Sequence, residues 1–258
     1  MPLHTAILAL KRAYYGDRGE PFRIAGQTLR FDPGTRPTRL RYATSPNAVN
    51  RYDALQTMLL AERLRPGDFA VDVGGASGGV ALVMAACCGS TGSVVTFEPD
   101  PAAREKMAQN FELNPHVKRP TVEPMAVSDR GGEAELFSDG GRSNSSLRSD
   151  ATGAEVLEAL KVETVSLDDY LGDRQPAWVK FDIEGAEIAA LRGASRLLDG
   201  PANVLVELHP YAWGAFGDSF EELCGLVSAT GRRIRYLDQA HKLTGEPVYG
   251  IALLERAR

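Results

Sequence analysis

The sequence has little of what marks several protein classes. Three cysteines, Cys87, Cys88 and Cys224, stand in 258 residues, too few for a disulfide framework and not spaced as metal ligands. The expected compartment is therefore a reducing cytoplasm. No apolar run is long: the longest, Val80 to Cys88, is under half of the roughly 20 residues a bilayer span needs. Ala6 to Leu10 is short, lacks a preceding basic region and runs into Lys11-Arg12, so it does not read as an export signal. A basic excess is missing too. With 29 basic and 34 acidic residues the formal charge is -5, which does not suit a protein that grips a phosphate backbone. Arg36, Arg39, Arg41 and Arg51 read as solvated surface. What is present, 43% apolar and 24% charged residues, is an ordinary globular composition. The length fits one large domain or two small ones.

Two parts are expected. Residues 1–66 form an irregular lead-in or cap, with a β-like stretch from Phe22 to Phe31 and a helix from Arg51 to Leu64 that Pro66-Gly67 stops. Residues 67–258 form the second part. There, apolar strand candidates recur at Phe69–Val73, Ser93–Phe97, Val122–Val127, Trp178–Ile183 and Val204–Leu208. Helices are expected at Gly79–Cys88, Pro101–Leu113, Ala186–Leu198 and Ser219–Ala229. Strands apolar on both faces and alternating with helices predict a doubly wound, mostly parallel α/β sheet. The last two candidates, Arg233–Leu237 and Tyr249–Leu254, read as an antiparallel hairpin across a loop holding Gly245 and Pro247. That makes seven strands.

The most informative segment runs from Val71 to Gly79, where a strand enters a glycine-rich turn and then a helix. This is how α/β sheets build a nucleotide pocket at the switch point. The dinucleotide spacing G-x-G-x-x-G fails here, because Ala76 follows two places after Gly74 and Ser77 two after Gly75. What stands is Asp72-x-Gly74-x-x-x-Gly78. The Asp72 carboxylate would repel a pyrophosphate and suits a cofactor carrying an ammonium and a sulfonium, such as S-adenosylmethionine. The second strand ends on Glu98-Pro99, and a carboxylate there can accept from both ribose hydroxyls. Glu98 by itself fits NAD as well. The third strand's Ala126 is either an adenine edge or a core strand end.

The fourth strand runs into Lys180-Phe181-Asp182-Ile183-Glu184-Gly185-Ala186-Glu187. Glu184 and Glu187 are at home at a helix start, where the dipole favours acids; Asp182 lies within the apolar strand, at its carboxyl end. With Asp72-x-Gly74, Gly78, Glu98-Pro99-Asp100, Gly193-Ala194 and Glu207-Leu208-His209, this run resembles the signature of the FkbM-type methyltransferases from about Gly67 to His209. The resemblance implies a Rossmann-like class I methyltransferase fold, S-adenosylmethionine as cofactor, and a hydroxyl of a secondary metabolite or sugar as acceptor. It further implies that Asp72, Gly74, Gly78 and Glu98 line the cofactor and that Asp182 faces the reaction site. Gly75, Ser77, Pro99 and Ala126 complete the expected cofactor set. One departure is Gly74-Gly75-Ala76, where the family writes Gly-Ala-Asn.

Methyl transfer from a sulfonium is an in-line displacement, so the chain must position the acceptor and remove its proton. Asp182 and His209 are the catalytic candidates. His209 reads either as a neutral imidazole base or as a histidine hydrogen-bonded before Pro210. Asp182, Glu184, Glu207 and His209 could hold a hard cation, though no spacing is diagnostic. Ser138 to Asp150, rich in Gly, Ser and Asp, reads as a mobile lid over the acceptor or as a plain connector. As a lid it would offer Asn144, Ser145 or Ser146 to a polar acceptor, with Glu184 beside them. Two other functions stay open, a nucleic-acid methyltransferase and a non-catalytic binding subunit. The first lacks a Pro-Cys or Asp-Pro-Pro-aromatic run, and the second is at odds with an intact cofactor motif. Nucleic acid and membrane are not expected partners; a small-molecule acceptor is.

Overall fold

The computed structural model describes residues 3–38, 43, 48–141, 144–151, 155–238 and 248–256. Five strands are buried almost throughout: β3 (Phe69–Val73), β4 (Ser93–Phe97), β9 (Trp178–Phe181), β10 (Asn203–Leu208) and β12 (Gly250–Arg256). With β5 (Thr121–Glu123) and β11 (Arg232–Tyr236) they form one seven-stranded sheet, ordered β11-β12-β10-β9-β3-β4-β5. All neighbours are parallel except β12, which runs antiparallel to β10 and β11. The fold expected from the sequence, including the antiparallel end, is therefore the one observed. The loop with Gly245 and Pro247 lies outside the described residues, as do Arg39 and Arg41.

Strand alternation divides the core into two. Val71, Val73, Val179, Phe181, Val204 and Val206 face one side, under α5 (Leu167–Leu171), α6 (Glu187–Arg192), α7 (Ser195–Asp199) and α9 (Phe220–Ala229). Ala70, Trp178 and Leu205 face the other, under α2 (Ala48–Arg63), α3 (Gly79–Cys88) and α4 (Pro101–Glu112). The same alternation sends Asp72, Lys180 and Glu207 toward the α2–α3 side. That placement matters for the site.

The lead-in shares this second core. Its β-like stretch is a hairpin, β1 (Glu20–Ile24) and β2 (Gln27–Phe31), turned at Ala25-Gly26 with both φ positive. Leu29 and Phe31 are fully buried against α3 and α4 residues. Asn110 of α4 and Asn114, just beyond its end, accept from the amides of Asp32 and Arg30, each at 2.8 Å. A helix α1 (Leu3–Tyr15) precedes the hairpin, and α8 (Pro210–Phe216) follows β10; neither is among the expected elements.

Two expected elements are split. The stretch Val122–Val127 is not one strand. Pro124 has no N–H to continue the ladder, so the chain leaves the main sheet after Glu123. Its next strand, β6 (Ala126–Val127), joins a separate three-stranded sheet with β7 (Gly132–Ser138) and β8 (Glu158–Val165). The expected helix Ala186–Leu198 breaks at Gly193, where a Cβ would lie 2.3 Å from the Ser128 carbonyl oxygen. The Asp168 carboxylate then starts α7 by accepting from the amides of Arg196 and Leu197. Among the described residues no helix is long and apolar enough to cross a membrane.

Candidate active site

The chain order places β3, β4 and β5 on one side of the sheet's midpoint and β9 and β10 on the other. The switch point is thus between β3 and β9, and ligands of open α/β sheets bind at the strand carboxyl ends there. A cavity occupies this place. Gly74 forms part of its wall with φ +87°, and a Cβ there would come within 1.8 Å of the Asp182 carbonyl oxygen. No side chain fits between the two strands at that point.

Glu98 closes the opposite wall. One carboxylate oxygen accepts the Ala76 amide at 2.7 Å and the other the Asp100 amide at 2.8 Å. Ala76 reaches Glu98 only by adopting a φ of +45°, a strained conformation for a residue with a side chain. Burial pushes the Glu98 carboxyl up to about 7. Met125, Ala126, Val127 and Leu136 supply an apolar wall beside it. The lid candidate also reaches the cavity. Asp100 starts α4 by accepting from the Ala102 amide, and its other oxygen accepts from the Ser138 and Ser145 hydroxyls at 2.6 and 2.8 Å. Ser146 donates to the Glu184 carbonyl at 3.0 Å. This segment is anchored by polar bonds, which its low apolar content does not reveal.

At the carboxyl end of β9, Asp182 and Glu184 line the same cavity. Behind them the Lys180 ammonium sits 3.1 Å from Asp182 Oδ2 and 3.4 Å from Asp72 Oδ1. Burial works to raise Asp182, but the charges of Lys180 and His209 outweigh it and hold its carboxyl below the ordinary value. Glu184 is different. Burial, with the nearby charges of Asp182 and Glu187, pushes it up to about 7 against the opposing pull of His209. Its backbone is again left-handed, with φ +49°. Two neighbouring carboxylates thus hold their protons over different pH ranges, the condition for dividing acid–base roles.

His209 is buried, and its Nδ1 meets Glu187 Oε1 at 2.9 Å. Glu187 is fully buried and also accepts from the Gly185 amide and the Trp213 indole, each at 2.9 Å. The His209 Nε2 faces Glu184 at 3.7 Å and Asp182 and Glu207 at 3.9 Å. Burial pulls the imidazole down, but Glu187, Glu184 and Asp182 overcome it and raise it to about 10. These neighbours favour its charged form. Of the two readings of the sequence, neutral base or hydrogen-bonded histidine, the second has its partner here in Glu187.

Of the residues expected to hold cofactor or acceptor, Gly74, Glu98, Pro99, Ala126, Ser145, Asp182 and Glu184 line the cavity. Asp72 does not. It is fully buried on the α2–α3 face, between Lys180 and the Thr96 hydroxyl, because alternation turns it away from the side Val73 occupies. Gly75 and Gly78 serve packing: a Cβ on either would clash with the Met107 side chain, at 2.7 and 2.6 Å. Ser77 contacts the Thr35 carbonyl at 3.4 Å, and Asn144 is exposed with its amide on Asp139. Sequence reasoning missed Lys180 and the joining of Glu187 to His209; both stand in the quoted motif, but only the fold shows what they face. Donor atoms of Asp182, Glu207 and His209 lie within 4.8 Å of one another, close enough for a hard cation. Lys180 and His209 already bring positive charge there.

These shifts predict the pH response of folding. Glu98, Glu184 and Glu207 are raised from 4.5 to about 7, 7 and 8, and His209 from 6.5 to about 10. In each case the folded chain keeps a proton that the unfolded chain has released. Stability is therefore full below the unfolded values and declines as pH climbs through the folded ones. Thermal melts should fall steadily from about pH 5.5 to pH 9; a melting temperature that rises across this range would overturn the assignment.

A family model described as the methyltransferase FkbM domain matches residues 72–234. The hexuronic acid methyltransferase AglP of Haloferax volcanii is 26% identical over 156 residues, which cover 58% of this chain and 60% of the relative. The chain thus matches less than two thirds of that relative's length. Among solved structures, the SAH-bound methyltransferase PaMTH1 of Podospora anserina aligns with a TM-score of 0.48 and 10% identity, over 100% of this chain and 98% of that one. Fibrillarin of Aeropyrum pernix, with natively bound S-adenosyl-L-methionine, aligns with a TM-score of 0.48 and 12% identity, over 93% and 82%. With more than half of its length matched by that family model, on the sheet and cavity just described, the chain belongs to the FkbM methyltransferase family.

Proposed function

We propose that the protein transfers a methyl group from S-adenosylmethionine to a hydroxyl of a small, sugar-like or secondary-metabolite acceptor in the cytoplasm. The observation that carries this is one cavity with a carboxylate on each side, Glu98 ending β4 and Asp182 following β9. The residues present fit the cofactor. Glu98 spends one lone pair of each oxygen on backbone amides and keeps another for the ribose hydroxyls. The Gly74 turn leaves room that a side chain would fill, and the Met125–Val127 wall suits a flat apolar base. When bound, the cofactor supplies an electrophilic methyl on a sulfonium.

The chain's own residues then orient the acceptor and take its proton. Asp182, kept anionic by Lys180 and His209, accepts the hydrogen bond of the acceptor hydroxyl and aims its oxygen. Glu184, on the same wall with a carboxyl near 7, is matched to accept the proton at neutral pH. His209, fixed by Glu187, stays cationic and balances the charge. Membership in the FkbM family and the acidic surroundings of the cavity favour this reading over action on nucleic acid.

Replacing Glu98 with Ala tests the cofactor half. Loss of charge-assisted hydrogen bonds should cost about 1.5–3 kcal/mol, roughly ten- to a hundredfold in S-adenosylhomocysteine affinity, read by calorimetric titration. Unchanged affinity in a folded variant would remove Glu98 from the site.

A further inference from the structure

The helix α2 carries buried polar residues where an ordinary core helix carries apolar ones. Gln56 and Thr57 are 3% and 1% exposed, and Asp53 beside them is partly exposed. Gln56 donates its amide N–H to Asp53 Oδ1 at 3.2 Å, and the Thr38 hydroxyl donates to Asp53 Oδ2 at 3.1 Å. Among the described residues the Gln56 amide oxygen has no hydrogen-bond partner. A buried acceptor left in that state costs free energy, and native chains seldom keep one without a use.

The position of α2 suggests the use. Its residues pack against β12 and α3, over the sheet face that carries Asp72, Lys180 and Glu207. The Asp53 carboxyl is raised, chiefly by burial and next by the charge of Asp182, and Asp53 in turn acts on Glu207. The Tyr52 ring lies 5.4 Å from Tyr249. Tyr249 donates to Glu207 at 2.7 Å, and its ring is 5.5 Å from His209. The Gln56 amide and its carboxylate neighbour thus adjoin the end of the sheet that carries Glu207 and His209.

We infer that Asp53 and Gln56 form the acceptor-recognition subsite, accepting hydrogen bonds from adjacent hydroxyls of a neutral polyhydroxylated acceptor; this rests on the reading under Proposed function. The carboxyl groups of this wall, with Asp182 held anionic among them, disfavour an acceptor bearing a carboxylate. Lys180 and His209, already placed among them, disfavour one bearing an ammonium. A site built to bond hydroxyls discriminates strongly against molecules that leave its polar groups unpaired.

The test uses the full chain saturated with S-adenosylhomocysteine and three probes: methyl β-glucopyranoside, methyl β-glucosaminide and methyl β-glucuronide, with binding followed by saturation-transfer NMR and titration. The neutral glycoside should bind at least about tenfold more tightly than either charged one. Gln56→Leu and the isosteric Asp53→Asn should each weaken it about tenfold or more, a loss of the size one or two hydrogen bonds give, while S-adenosylhomocysteine affinity stays within about twofold. Gln56→Leu should also leave the melting temperature unchanged or higher, since it removes an orphaned acceptor. The proposal is overturned if the loaded protein binds none of the probes, if a charged glycoside binds best, or if both variants bind the neutral one as the parent does. Failure to bind S-adenosylhomocysteine at all would instead defeat the cofactor assignment itself, and the subsite with it.

Discussion

Replacing Lys180 with methionine should cost about 3–5 kcal/mol of folding stability, because it leaves a buried carboxylate without its counter-charge. For a chain of this size that is roughly 6–20 °C in melting temperature. Lys180 is 2% exposed and Asp72 fully buried. The ammonium lies 3.4 Å from Asp72 Oδ1, an oxygen with no hydrogen-bond donor among the described residues, and Thr96 meets the other oxygen only at 3.4 Å. Burial drags on the Lys180 charge, yet Asp182, Asp72 and Glu207 outweigh it and hold the ammonium above its ordinary value. For Asp72 the balance is reversed, burial raising the carboxyl more than Lys180 lowers it. Of the two partners, Asp182 at 3.1 Å is therefore the stronger anchor of the ammonium. Removing the ammonium forces Asp72 to take up a proton or the fold to loosen. The double variant Lys180→Met with Asp72→Asn should recover more than half of the loss. Thermal melts of the three proteins decide the matter, and a single variant as stable as the parent would show that the buried pair contributes nothing.

The second large effect is on turnover. Asp182→Asn keeps the shape of the side chain and removes its charge, so the acceptor hydroxyl loses the group that orients and polarises it. A drop of about 10²–10⁴ in methyl transfer is expected, or about 3–5 kcal/mol in the barrier. S-adenosylhomocysteine affinity should change little, since Glu98 holds the other side of the cavity. Transfer of labelled methyl groups to neutral glycosides gives the readout. A variant within a few-fold of the parent would mean that Asp182 is not at the reaction centre, and Glu184 alone would inherit the role. Because Lys180→Met also frees Asp182 from its anchor, the two variants together separate loss of charge from loss of position.

Much of this was legible in the chain. Apolar runs bounded by glycine and proline mark the buried strands to within a residue or two at most ends, because a strand covered on both faces is apolar at nearly every position. The helix Gly79–Cys88 agrees at both ends. The β7–β8 pair was not legible. Glu133, Glu135, Glu158 and Glu163 are exposed on it, and strands whose outer face is acid-rich carry little β-propensity of their own. The broken helix at Gly193 was hidden as well, since the break comes from the approach of the Ser128 carbonyl, a residue 65 positions earlier.

By itself the sequence determined the sheet, the glycine turn, and which strand ends carry carboxylates, since each depends on residues adjacent in the chain. It also held the family signature. Only the tertiary structure decided what those carboxylates face. Asp72 stands two residues before Gly74 and looks like a cofactor ligand, but strand alternation sends it to Lys180 on the opposite face. His209 reads as a base until the fold brings Glu187, Glu184, Asp182 and Glu207 around it from two strand ends and a helix. Protonation state is set by burial and by the sum of neighbouring charges, and both are properties of the assembled fold.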